Sequence, residues 1–266
     1  MKQPPLDLSR VFDLEPHGPD TYLGESPPYA WGRIYGGLVI AQALWAATKT
    51  VDPSHHVHSL HAYFILAGDL GEPVRYEVDR IRNGRSFTTR RVVARQSGGA
   101  ILSLACSFQV EEQGPETQSA SFPEGVREPE RFFLDAGIHR ADVKGVAPEP
   151  GSLAWARFPG PVADDPRLAA CVLAYLSDLN AVEAIVATHP DGRPADSEWG
   201  ETFMSASLDH AMWFHRPAAP DSWVLLDMRG HGLVGHRGLT TGIVFSADGT
   251  HVATIAQEGL LRDRKK

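Results

Sequence analysis

Any chemistry in this 266-residue chain has to be sought among polar residues that stand where apolar ones are expected. Helical spacing sets Cys171, Tyr175, Asp178 and Val182 on one face, at steps of four, three and four residues, so a carboxylate interrupts an apolar stripe. Burying an ion there without partners is costly. Asp178 is therefore either a satisfied structural carboxylate, capping a neighbouring turn, or a group placed there for its function. In the last strand, alternation puts Gln257 on the same side as Ala253 and Ile255. A buried amide donates and accepts at once, which suits holding a water and equally suits an orphan backbone group. Ser207 follows a long polar connection, where a serine by itself carries no signal.

The other motifs point elsewhere or nowhere. GHGLVG, Gly230 to Gly235, spells the dinucleotide fingerprint, but the strand-like GLTTGIVFS follows it where that motif must open a helix, so it reads as a strand connection. His55, His56, His58 and His61 cluster in one short stretch. Strand alternation divides their imidazoles between two faces and no cysteine or carboxylate completes a ligand set, so no metal is expected. No GxSxG elbow occurs, which removes the usual serine hydrolase. Arg80, Arg82, Arg85, Arg90, Arg91 and Arg95 form the densest basic stretch. It is either a solvated sheet face or, through Arg90 and Arg91, a local anchor for phosphates, since arginine presents a planar fork of donors.

The elements that must position these residues come in two copies. Phe64 and Phe214 are 150 residues apart, and the same displacement sets Val74 on Val224, Val93 on Ile243, Gly99 on Gly249 and Ser107 on Gln257. Each copy reads as an apolar helix followed by strands. The first helix is GGLVIAQALWAATKTV, with Leu38, Ala41, Gln42 and Trp45 along one face; its strands are VHSLHAYFIL, PVRYEVDRIR, SFTTRRVVARQ and AILSLACSFQV. The second helix is RLAACVLAYLSDLNAVEAIVA, announced by Asp164, Asp165 and Pro166; its strands are SASLDHAMWFH, SWVLLDMRG, GLTTGIVFS and HVATIAQEGLL. This order predicts an α+β fold with an N-terminal repeat over residues 1–112, a linker rich in Glu, Pro and Gly over 113–150, and a C-terminal repeat over 151–266.

Composition narrows the partners. A formal net charge of -8 argues against broad attraction to nucleic acid or anionic membrane, so an anionic ligand needs a local basic patch. The two cysteines, Cys106 and Cys171, lie in apolar runs and read as reduced core thiols. No signal peptide or membrane span is apparent, and the RDRKK end is no peroxisomal address, so a cytoplasmic protein without membrane insertion is expected.

The stretches YGGLVIAQAL, HSLHAYF, GRSFTTRRVVARQ, YLSDLN, SLDHAMWFHRP and AQEGLLR together resemble the type II acyl-CoA thioesterases. The resemblance covers most of the chain outside its first 30 or so residues and the 113–150 stretch. It implies a double hotdog, in which each repeat wraps an antiparallel sheet around a central helix, and two such chains pairing as a homo-oligomer. It implies hydrolysis of fatty acyl-CoA without cofactor or metal, by a water held between the aspartate of SDLN, Asp178, the hydroxyl before the LDH segment, Ser207, and the glutamine before EG, Gln257. Asp178 would take a proton from that water while Ser207 and Gln257 orient it, with backbone amides near Gly36 and Gly37, where a helix begins, as oxyanion donors. Leu38 stands after YGG where many members of the family carry glutamine, a departure that bears on acyl preference. Two alternatives stay open: a hotdog enoyl-CoA hydratase, although Asp178, Leu179 and Asn180 are followed by no Pro-x-His, and a non-catalytic acyl-CoA binding protein.

Overall fold

A computed structural model of the protein describes residues 5–146, 149–162, 164–192 and 199–264. Met1 to Pro4 of the leading segment and Lys265 and Lys266 of the basic tail lie outside the described residues. The first half supplies α1 (Leu8–Val11), β1 (Glu15–Pro16), β2 (Thr21–Gly24), α2 (Gly36–Thr48), β3 (His55–Phe64), β4 (Val74–Asn83), β5 (Phe87–Gln96) and β6 (Gly99–Val110). The second supplies β7 (Phe133–Asp135), β8 (Ile138–Asp142), β9 (Gly151–Arg157), α3 (Pro166–Ser177), α4 (Ala181–Val186), α5 (Trp199–Thr202), β10 (Phe203–Ser207), β11 (Asp209–Phe214), β12 (Val224–Val234), β13 (Arg237–Ser246) and β14 (His251–Asp263). All strands join one antiparallel sheet in the order β1-β2-β4-β5-β6-β3-β11-β14-β13-β12-β9-β8-β7, with β10 also on β14.

The repeat is visible in that order, since β2-β4-β5-β6-β3 is mirrored by β9-β12-β13-β14-β11. The halves meet where β3 pairs with β11, and at that seam His61 lies opposite Ala211, its own counterpart 150 residues on. A local twofold relation between the halves therefore passes through this pair. The ungapped displacement fails at one place. Ala94 faces Leu102 in the first half, whereas the corresponding Val244 faces Ala253, because the second β-turn holds one residue more. From there on Cys106, which faces Arg90, is the counterpart of Gln257, which faces Thr240. Ser107 is not: it lies on the outer face, its hydroxyl 2.8 Å from His58 Nε2. A slip of one residue turns every later side chain to the other side of a strand.

The helices fill the concave side. α2 is apolar all round and almost wholly buried, as a core helix must be, and packs on β4, β5, β6 and α3. Of its two buried polar residues, Thr48 donates from Oγ1 to Leu44 O, and Gln42 is fully engaged: Nε2 donates to Val11 O and Glu25 O, and Oε1 accepts from Tyr76 Oη at 2.6 Å. α3 begins where Asp165 Oδ1 accepts from Arg167 N at 2.9 Å with Pro166 in its first turn. It packs on α2, β3 and β11, whereas α4 lies on β9, β12, β13 and β14. The contact of α4 is close enough that a Cβ on Gly230, the first glycine of GHGLVG, would run into Ala184 O; that motif is the end of β12 and a bulged turn, opening no helix.

Three readings of the sequence change. The second helix is broken, not continuous: α3 stops at Ser177, Asp178 is its C-cap, and Asn180, at φ 66°, turns the chain before α4 starts. Asparagine is among the few residues that tolerate this left-handed conformation. The stretch Pro166–Val186, 21 residues in all, is long and apolar enough to cross a membrane by length and composition alone, where the sequence reading expects no such window, but it is mostly buried inside the protein. Finally, the stretch expected as a linker over 113–150 contains β7 and β8, which extend the sheet beyond β9. Their strands are only three and five residues long and turn at Ala136 and Gly137, both at positive φ, so turn residues masked them.

Candidate functional site

The break between α3 and α4, the N-terminus of α2, the end of β3 and the β10–β11 junction surround a cavity of about 410 Å³. Its lining is apolar at Ile34, Val39, Phe64, Leu66, Ile101 and Val182, and polar at Asp178, Asn180 and Ser207 among others. The β7–β8 hairpin closes one end through Asp135, Ala136 and Arg140. Arg140 is buried and bound to Asp135, Asp142 and Glu183, and Tyr175 Oη donates to Ala136 O at 2.6 Å, so the hairpin is pinned to α3 and α4.

The sheet presents two of the expected residues by means of a bulge. Ser207 pairs with Gly259 and Ala211 with Ala256, leaving three residues between the pairs on one side against two on the other. Strand alternation would put Ser207 and His210 on opposite faces; the extra residue at Leu208 turns both inward. Gln257, fully buried on β14, joins them: its Nε2 donates to Ser207 Oγ at 2.8 Å, and its Oε1 lies 2.6 Å from His210 Nδ1. With the amide so oriented, His210 carries its proton on Nδ1. Its Nε2 then accepts from Ser177 Oγ at 2.9 Å, a hydroxyl whose single proton is shared with Ala174 O at 2.8 Å. Burial holds the His210 pKa down to about 4, so the ring is a neutral clamp on Gln257.

Asp178 faces this network from the helix break. Burial raises its pKa to about 7, Glu183 adds to the rise, and hydrogen bonds from Gln257 and the Gly37 backbone amide oppose it. One carboxylate oxygen, Oδ1, is buried without a hydrogen-bond partner. A Cβ on Gly36 would lie 2.7 Å from the other oxygen, Oδ2, so only glycine lets the start of α2 come this near. Asn180, also in the cavity wall, has both Oδ1 and Nδ2 buried and unpartnered. Each such orphan costs about 1–3 kcal/mol unless something in the cavity meets it.

Asp178, Ser207 and Gln257 are thus brought together, and Gly36 and Gly37 lie beside them. Arg90 and Arg91 are not. Arg90 is buried and spends all five donors on Thr50 Oγ1, Thr50 O, Arg82 O, Thr89 O and Asn83 Oδ1, so no donor is left for a phosphate. Arg91 is exposed on the outer face of β5, and neither arginine lines the cavity. Arg80 and Arg95 are likewise paired, with Asp20 and Glu77. The histidine cluster does not converge: His58 meets Ser107, while His61 sets its edge on Trp213. His210 and Asn180 went unread as site residues. The signal for His210 was an imidazole among apolar neighbours in SLDHAMWF; for Asn180, a polar residue next to the aspartate inside an apolar helix.

Comparison with known proteins gives this arrangement a context. Residues 26–109 match the family model for the acyl-CoA thioesterase N-terminal domain, and residues 109–261 that for the C-terminal domain. Acyl-coenzyme A thioesterase 8 of Mus musculus is 35% identical over 96% of this chain and 88% of its own length. Acyl-CoA thioesterase 2 of Haemophilus influenzae is 31% identical over 97% of this chain and 95% of its own. Among solved structures, an acyl-CoA thioesterase II of Mycobacterium marinum superposes with a TM-score of 0.83 at 38% identity, over 98% of both chains. A hot dog fold protein from Alicyclobacillus acidocaldarius, at 18% identity and TM-score 0.75, shares the fold.

Proposed function

Since the chain belongs to the acyl-CoA thioesterase family, we propose that it hydrolyses fatty acyl-CoA to the fatty acid and CoA, with Asp178, Ser207 and Gln257 as the catalytic group of a double hotdog. The observation that carries this reading is Asp178: a carboxylate with a pKa near 7 and an unpartnered oxygen, in a cavity lined largely by apolar side chains. A general base works best with a pKa close to the working pH.

In this reading a water donates a proton to Asp178 as its oxygen attacks the thioester carbon. Gln257 Nε2, bonded to Ser207 Oγ and acting on Asp178, keeps hydroxyl and carboxylate in register around that water. The Gly37 amide is already engaged by the carboxylate, so charge on the carbonyl oxygen is met by the remaining amide at the start of α2, Gly36, and by the Ser207 hydroxyl. Collapse of the tetrahedral intermediate breaks the carbon–sulfur bond, and the proton held by Asp178 passes to the departing thiolate. The apolar part of the lining receives the acyl chain.

Incubation with acyl-CoA and a thiol reagent tests it directly, because only hydrolysis releases the free thiol. Asp178→Asn is expected to lower turnover by roughly 10² to 10⁴, the contribution of a general base, while acyl-CoA binding persists. Turnover within threefold of the parent would move the base elsewhere.

A further inference from the structure

Among the described polar residues of the cavity that have no part in that chemistry, Asn180 alone has both side-chain polar atoms buried and unpartnered. Asn180 is 2% exposed, lines the cavity, and leaves both Oδ1 and Nδ2 without a partner. Its left-handed backbone, φ 66°, suits asparagine as it suits glycine, but does not account for both polar atoms of the side chain being buried without a partner. The backbone is held firmly: Asn180 O accepts from Ser152 Oγ at 3.0 Å and from Ala184 N at 3.1 Å. A residue that lines the cavity is therefore held at a fixed point two residues beyond Asp178.

We propose that Asn180 is a substrate-binding residue that pairs with an amide of the CoA arm, Nδ2 donating to the amide carbonyl and Oδ1 accepting from the amide N–H. This rests on the acyl-CoA reading of the cavity and adds to it a means of recognising the thiol half of the substrate. A carboxamide with both of its polar atoms orphaned is complementary to a secondary amide, which offers one donor and one acceptor together. A thioester carbonyl or a carboxylate satisfies only the donor. The arm of CoA carries a secondary amide a two-carbon spacer away from the sulfur. Two residues span at most about 7 Å, so a group beside Asp178 on the chain has a reach comparable to that spacer. Discrimination of this kind is strong, because a site built to hydrogen-bond a substrate amide leaves its own polar atoms unpaired when the amide is missing.

The test uses three thioesters of one acyl chain: acyl-CoA, S-acyl-N-acetylcysteamine, which keeps the first amide, and S-acyl-propanethiol, which has none. kcat/KM is measured for the parent, for Asn180→Gly, which keeps the backbone conformation, and for Asn180→Asp, which keeps the shape but replaces the donor. For Asn180→Gly the loss is expected to be roughly tenfold to hundredfold greater on the two amide-bearing thioesters than on the amide-free one. Asn180→Asp is expected to show the same ordering and stands in if the glycine variant does not fold. Equal losses on all three thioesters, or none, overturn the proposal and leave Asn180 a turn residue. A parent enzyme that hydrolyses none of them overturns the thioesterase reading, and this inference with it.

Discussion

Where β3 pairs with β6 in the first half, Leu60 lies opposite Cys106; in the second half the same two positions hold His210 and Gln257, joined by a 2.6 Å hydrogen bond. Both pairs are buried on the concave face. The first is apolar and needs nothing further. The second is polar, and every one of its polar atoms is tied to a neighbour: Ser177, Ser207 and Asp178. Two halves with one strand plan thus differ in whether their interior is apolar or holds a polar network. The first half still frames the site, since Gly36, Val39 and Phe64 come from it. In the proposed reading each chain then has one catalytic group, carried by the second half in a cavity that the first half helps to line.

The comparison is most sharply broken at Gln257. Gln257→Ala is expected to reduce turnover by roughly ten- to a thousandfold, the range for loss of a positioned polar donor, whereas Ser107→Ala, on the outer face, leaves turnover within about twofold of the parent. Steady-state kinetics of the two variants check this, and comparable losses in both would erase the distinction between the halves.

His210→Leu converts the second pair towards the Leu60–Cys106 type. Ser177 keeps its bond to Ala174 O, but Gln257 loses the partner that fixes which end of its amide faces Ser207. A misoriented group in a site costs up to about a hundredfold, so kcat should fall roughly ten- to a hundredfold while KM for acyl-CoA moves little. A parallel rise in KM would assign His210 to substrate binding instead.

The smallest effect concerns proton linkage. The Asp178 pKa is raised in the folded protein to about 7 from an ordinary value near 3.8, so folding favours its protonated form. Between those values the folded state holds a proton that the unfolded state has lost, and stability falls as pH rises through that window. Asp178→Asn removes the burden. Its Tm should exceed that of the parent by more at pH 8 than at pH 4, by thermal unfolding at both, and the activity of the parent should rise through about pH 7. A difference in Tm that does not change with pH would show that the carboxylate is not carried at a raised pKa.

Much of this was legible in the residues alone. Helix and strand order, the repeat, and the oddity of Asp178 and Gln257 among apolar neighbours follow from hydrophobic periodicity, which is a local property of a few successive residues. What periodicity does not carry is register. One extra residue in the turn before β14 makes Cys106 rather than Ser107 the counterpart of Gln257, and the bulge at Leu208 turns Ser207 and His210 to the same side. Either decision depends on which backbone groups pair across strands far apart in the chain, and a slip of a single residue reverses inside and outside. The fate of Arg90 is decided in the same way. Its sequence neighbours read as a basic stripe, but only the folded sheet brings Thr50, Arg82 and Asn83 within reach of its guanidinium, and a charge so enclosed is part of the frame, closed to any ligand. The same holds for Asn180: the sequence places it next to Asp178, whereas its buried, unanswered amide exists only because α3 ends and α4 begins against the walls of the cavity.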